Sequence, residues 1–230
     1  MKKNYCKILI ITSLILAFAA CHPVVTSNKV EQRIIFPSYS VQYDAAAQIL
    51  TAIVTFQTDN ESGEYIKLSS DSYVFFNQDA MERKSDKEHP CYYFFEKTGV
   101  NACPENVMFS YNNDEGRVFS NQLGIKSIQI AEVSLSRNQD NFVKYKGSPL
   151  TEDETISLVL IKDDHQYEIS PEVAENNTLL VSASMLQELK GGTYDAHLQR
   201  TGYSTLVKAM DRGGNAVTTY LSKTYKITIQ

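Results

Sequence analysis

The chain has 230 residues, with 27 acidic against 22 basic side chains, a net charge of −5, 14 tyrosines, 10 phenylalanines, no tryptophan and four cysteines. An acidic balance without a cluster of Lys and Arg in the body of the chain argues against nucleic-acid and anionic-lipid partners, both of which need a concentrated positive patch. Plentiful Val, Ile, Thr, Tyr and Phe, with few Ala-rich stretches, make this a strand-forming composition.

Residues 1–20 have the layout of a secretory signal. Lys2, Lys3 and Lys7 open it, an apolar run of thirteen residues (8–20) follows, and Ala19-Ala20 close it ahead of Cys21. A membrane span needs about 20 apolar residues, so the layout predicts cleavage rather than anchoring. Cutting there removes three lysines and no acid, which takes the net charge from −5 to −8. The 210 remaining residues suit one large or two small domains.

Phe18-Ala19-Ala20-Cys21 resembles the lipobox of bacterial lipoproteins, with Phe18 where Leu is usual. The resemblance implies a diacylglyceryl group on the Cys21 thiol and an acylated new amino terminus. Several chains exceed the two-signal threshold for stable anchoring, each buried CH₂ contributing about 0.8 kcal/mol. His22, rather than Asp, implies by that family's sorting rule an outer-membrane lipoprotein on the periplasmic face, with the cell surface as the alternative. Residues 21–32 then read as a polar, lipidated tether.

Residues 33–131 read as a first β-domain. Alternation at 40–43 and 51–56 has the period of a strand, and the polar cluster 58–63 is turn chemistry. Short strands follow at 65–68 and 73–76, then a charged stretch, 78–90, without apolar period, expected as a loop. Strands at 91–96 and 106–111 precede Asn112-Asn113-Asp114-Glu115-Gly116, a hairpin tip. Its return strand is 117–120, and the last strand includes Ile125, Ile128 and Ile130.

Residues 132–230 read as a second β-domain with strands at 142–145, 156–162, 167–169, 179–181, 194–199, 203–210 and 217–229. One helix-like turn at 184–190 is stopped by Gly191-Gly192, and residues 211–215 make a hairpin turn. Short strands at regular spacing predict an all-β protein built as two tandem sandwiches. Leu186-x-x-Leu189-x-x-Gly192-x-Tyr194 resembles the turn before strand F of immunoglobulin-like and fibronectin-like domains. That resemblance implies Ig-like sandwiches, with both leucines packed inward and the tyrosine bonding back to the corner. This half departs from antibody-type domains in having neither Trp nor an intersheet cysteine pair.

Candidate sites are few. Cys91 and Cys103 are an even pair in an exported protein and are expected to form a disulfide, worth roughly 3 kcal/mol for a loop of this size. Zinc is the alternative at His89-Pro90-Cys91, but a structural site needs four N/S ligands and no second pair stands close in sequence. Tyr92-Tyr93-Phe94-Phe95 puts aromatics on both faces of a strand; it reads either as a strand buried on both sides or as an exposed patch that docks a partner. The acidic clusters at 59–64, 114–115, 152–154 and 163–164 lack calcium-loop spacing and read as solvated turns.

No G-x-S-x-G, S-x-x-K, H-E-x-x-H or Gly-rich phosphate loop occurs. His22, His89, His165 and His197 each stand alone in sequence. No catalytic residue, metal or cofactor is therefore expected. The chain reads as a non-catalytic envelope lipoprotein, held to the membrane through Cys21, whose binding module meets a protein or glycan partner through the segment 78–103. The alternatives are a glycan or cell-wall hydrolase using Asp and Glu, and a structural spacer.

Overall fold

The computed structural model describes residues 24–175 and 177–230. Its first half holds β1 (Val24–Thr26), β2 (Ile35–Asp44), β3 (Ile49–Thr58), β4 (Tyr65–Lys67), β5 (Tyr73–Phe76), β6 (Asp79–Ala80), β7 (Glu82–Lys84), β8 (Tyr92–Lys97), β9 (Asn106–Asn112) and β10 (Val118–Gly124). Strands β7-β8-β3-β2 form one sheet and β10-β9-β5-β6 the other, the strand order of an immunoglobulin-type sandwich.

Alternation decides which face is core. Tyr39, Val41 and Tyr43 of β2 and Leu50, Ala52, Val54 and Phe56 of β3 are buried, while the residues between them point away. The two sheets meet through rings. Tyr39 stacks on Phe109 at 4.7 Å, Phe56 meets Tyr111 at 4.6 Å, and Phe76 meets Phe95 at 4.9 Å. Such pairs contribute about 0.5–1.5 kcal/mol beyond the area they bury. The β9–β10 hairpin turns where expected: the Gly116 N–H donates to the Asn113 carbonyl at 2.9 Å, and Gly116 sits at φ +74°. The stretch 78–90 is not purely loop. It carries β6, paired with β5, and β7, paired with β8, and so takes the chain from one sheet to the other.

The second half holds β11 (Ile128–Glu132), β12 (Asn141–Gly147), β13 (Glu154–Lys162), β14 (His165–Ile169), β15 (Glu172–Ala174), β16 (Thr178–Val181), α1 (Ala183–Leu186), β17 (Gly192–Met210), β18 (Gly213–Leu221) and β19 (Tyr225–Ile229). Its sheets are β11-β12-β16-β15 and β14-β13-β17-β19, again the immunoglobulin order. The corner before β17 is built as its sequence implies. Leu186 and Leu189 are buried, and the Tyr194 hydroxyl donates to the Lys190 carbonyl at 2.7 Å. The fold is all-β, two Ig-like sandwiches in tandem.

The two halves share strands, and β11, expected as the last strand of the first domain, pairs with β12 in the second sandwich. After its part in the second sandwich, which ends at Gly202, β17 runs on to Met210 and returns as β18, which pairs parallel with β2 along 38–44. This ribbon fuses the two sandwiches through a single eleven-stranded sheet. It also covers the edge of β2, whose N–H and C=O row is otherwise an invitation to non-native pairing. The ribbon fits only because Gly214 lacks a side chain: a Cβ there would lie 2.7 Å from the Pro37 carbonyl oxygen and 2.6 Å from Leu206 Cδ1. Hydrophobic patterning finds the strands of a ribbon but not the sheet it joins.

The tether is shorter than its composition suggests. β1 pairs parallel with β4, and Ser27 is fully buried. The Ser69 N–H donates to Ser27 Oγ at 2.8 Å, and Gln32 Nε2 donates to the Ser27 carbonyl at 2.8 Å. The Asp114 carboxylate accepts from Ser69 Oγ and Gln32 Nε2. Polar residues 24–32 therefore dock on the first sandwich by hydrogen bonding, which an apolar-period reading overlooks. The signal segment, Cys21 and His22 lie outside the described residues.

Candidate binding groove

A groove of about 540 Å³ lies on the outer face of β8-β3-β2-β18. Its floor comes from the outward half of each strand's alternation: Ser38 and Ser40 from β2, Ile53 and Thr55 from β3, Tyr92 and Phe94 from β8, Asn215 and Val217 from β18. The walls are Tyr65, Glu61 from the turn after β3, and Asp86, Glu88 and His89 from the turn before β8. Three carboxylates and the rings of Tyr65, Tyr92 and Phe94 thus border one concavity, and among the described residues no Lys or Arg lines it.

Local hydrogen bonds hold each wall. Asp86 Oδ1 accepts the N–H of Glu88 at 2.9 Å and of His89 at 2.6 Å, and the Asp86 N–H donates to the His89 carbonyl at 2.9 Å. The His89 N–H leads the interactions that hold the Asp86 carboxyl below the usual carboxylate range. The His89 ring stands edge-on to Tyr65 at 6.4 Å and to Tyr92 at 6.1 Å, with Nδ1 3.5 Å from Asp86 Oδ1. On the other side, the turn 58–64 is closed by the Thr58 N–H donating to Glu64 O at 3.0 Å. It requires glycine at position 63, where a Cβ would collide with the Thr58 carbonyl. Glu61 accepts from Asn215 Nδ2, and Asp59 pairs with Arg212 Nε at 2.9 Å. One wall of the groove is therefore tied to the ribbon from the second half.

The four consecutive aromatics divide by face. Tyr93 is in the core, where its hydroxyl accepts the Leu68 N–H at 2.8 Å and its ring meets Phe56 edge-on at 5.8 Å. Phe95 packs on Phe76. Tyr92 and Phe94 emerge half-buried into the groove, and Lys84 Nζ lies 4.0 Å from the Phe94 ring centre. Segment 78–103 contributes to the groove in part: residues 86–94 supply wall and floor, while Met81 is buried.

Cys91 and Cys103 are both free in the structure. They are separated by β8, which spans about 17 Å, whereas bridged cysteines have Cα atoms within about 7 Å. An even pair of cysteines suggested a closed loop, but β8 and β9 belong to different sheets. Burial raises both thiol pKa values, that of Cys103 to about 11.

The acidic turns also divide. Among the described residues no group of three His, Cys, Asp or Glu is placed to hold a metal. Glu154 is no solvated turn residue. Burial pushes its carboxyl up, but Arg200, the Thr151 N–H and Lys126 outweigh this and hold it at about 2. Arg200 Nη2 lies 2.7 Å from Glu154 Oε2, with both side chains buried, and Lys126, between the sandwiches, lies 3.0 Å from Oε1. Sequence reasoning missed Tyr65 and the ribbon pair Asn215 and Val217 and weighed His89 only as a zinc ligand. His89 had one local signal, its place three residues before an aromatic run. The ribbon pair had none, because it reaches the groove only through long-range pairing.

No family model and no curated protein matches the sequence. Among solved structures, the chain is similar to the tandem Ig repeats of Dlar, at 9% identity and a TM-score of 0.27, covering 84% of this chain and 98% of that one. It is also similar to SGBP-B of the Bacteroides ovatus mixed-linkage glucan utilization locus, in complex with a mixed-linkage heptasaccharide, at 7% identity and TM-score 0.24, covering 90% and 65%. A third is the Yersinia pseudotuberculosis adhesin InvE, at 9% identity and TM-score 0.24, covering 87% and 60%. The chemistry of the groove has to come from its own residues.

Proposed function

We propose that this chain is a non-catalytic binding module of the cell envelope, carried by lipid on Cys21 at the periplasmic face of the outer membrane, with its ligand held in the groove of the first sandwich. The carrying observation is the emergence of Tyr92 and Phe94 from a core strand into a concavity walled by hydrogen-bonded turns. Ligand sites are concave, with a largely apolar lining and a few placed polar groups. A hydrolase needs a carboxyl kept protonated to act as general acid. Asp86, in the groove, is instead held down by backbone N–H groups, which favours binding over acid catalysis. The shared eleven-stranded sheet gives the module a stiff support.

Two measurements test this. Mass spectrometry of the mature N-terminus is expected to find acylated Cys21, and Cys21→Ser is expected to release the protein from membranes. Retention of an envelope ligand by purified protein is expected to drop at least tenfold in Tyr92→Ala without loss of the folded state. An unmodified Cys21 sinks the anchoring, and unchanged retention in Tyr92→Ala sinks the groove.

A further inference from the structure

Building on the groove as the binding site, we infer that its ligand is cationic: a lysine- or arginine-bearing extended peptide segment, its ammonium or guanidinium groups seated between Glu61, Asp86 and Glu88 over the rings of Tyr65 and Tyr92. Charge complementarity carries the inference. Three carboxylates line the groove, and its one basic lining residue, His89, stands beside Asp86 at 3.5 Å, while Lys84, at the rim, is paired with Glu82 at 3.6 Å. A cleft lined by one sign of charge focuses its field and concentrates the opposite charge.

The aromatic floor points the same way. Ring faces attract ammonium and guanidinium groups within about 6 Å of their centroids, and this surface already satisfies one cation so, with Lys84 Nζ 4.0 Å from the Phe94 centroid. That contact also covers a face of Phe94, which a stacked sugar ring would need open. A separate observation concerns the floor itself. Ser38 Oγ is shielded from solvent and has no hydrogen-bond partner among the described residues; its lone pairs suit a donor, and lysine and arginine heads carry only donors. The volume of about 540 Å³ leaves room for more than one side chain.

The test titrates the chain from residue 22 onward with hexalysine and, separately, with maltohexaose, by calorimetry at low and at physiological salt. Hexalysine is expected to bind, and to bind more weakly at the higher salt. The triple variant Glu61→Gln, Asp86→Asn, Glu88→Gln is expected to lose at least tenfold in affinity. A control of equal charge change on the second sandwich, Glu152→Gln, Asp153→Asn, Glu172→Gln, is expected to lose less than twofold. Circular dichroism melts confirm that both variants fold. Equal losses in the two triple variants overturn the inference, since the attraction is then only that of net charge. Binding of maltohexaose but not hexalysine, abolished by Tyr92→Ala, also overturns it, while leaving the groove as the binding site. Binding of neither defeats both.

Discussion

Asn121 and Lys208 are joined by a two-way bridge: Asn121 Nδ2 donates to the Lys208 carbonyl at 2.8 Å, and the Lys208 N–H donates to Asn121 Oδ1 at 2.9 Å. A side-chain amide on β10 thereby does what a neighbouring strand would do, tying one limb of the ribbon to the first sandwich while β18 pairs with β2. Asn121 is 4% exposed while Lys208 lies at the surface, so both bonds are partly shielded from water. Asn121→Leu is expected to cost about 1–3 kcal/mol, since it removes two partly buried hydrogen bonds at about 0.5–1.5 kcal/mol each. Amide hydrogen exchange is expected to speed up in residues 204–217 first; protection unchanged there refutes the pin.

The ribbon also depends on close approach at its turn. Gly214→Val places methyl groups where the Pro37 carbonyl and Leu206 already stand. Separation of β18 from β2 is the expected result, with loss of ligand retention, because Asn215 and Val217 leave the groove. The readout is hydrogen exchange in 38–44 alongside binding, and a variant with wild-type protection and binding contradicts it.

Glu154 makes stability depend on pH. Its folded pKa of about 2 lies below the ordinary 4.5, so the unfolded chain takes up this proton first as acid is added. The stabilisation is therefore complete above about pH 4.5 and falls away toward pH 2. Urea midpoints measured across that window are expected to fall in the wild type and to fall less in Glu154→Gln. At neutral pH, Glu154→Ala leaves the buried Arg200 charge without its carboxylate, at a cost of up to about 3–5 kcal/mol.

Tyr194→Phe removes only the hydroxyl that reaches the Lys190 carbonyl. The expected loss is about 1 kcal/mol, read as a lower urea midpoint at an unchanged slope. No shift in midpoint means that the corner holds by packing of Leu186 and Leu189 alone.

Free thiols make a direct count possible. Protein purified without reductant and alkylated after unfolding is expected to gain two adducts, on Cys91 and Cys103. Native protein is expected to react slowly, because burial raises both thiol pKa values and lowers the thiolate fraction. A mass two hydrogens lighter, with no adduct, shows a bridge instead.

The sequence by itself determined much of the local architecture. Period-two alternation marks β2, β3 and β8, Asn and Gly mark the β9–β10 tip, and the Leu186–Tyr194 pattern marks a corner whose hydroxyl bond the structure contains. These are local features, set by side-chain direction along a strand and by which residues tolerate a turn. Only the tertiary structure decided what lies side by side. It set β8 between Cys91 and Cys103, sent β17 past its own sandwich to lay β18 on β2, and paired residues 24–26 with β4. It likewise sorted Tyr92 and Phe94 from Tyr93 and Phe95, and gathered Glu61, Tyr65, Asp86, His89 and Asn215 around the first pair. Strand pairing joins backbones that carry no sequence label for their partner, so the groove exists only once the sheet has been assembled.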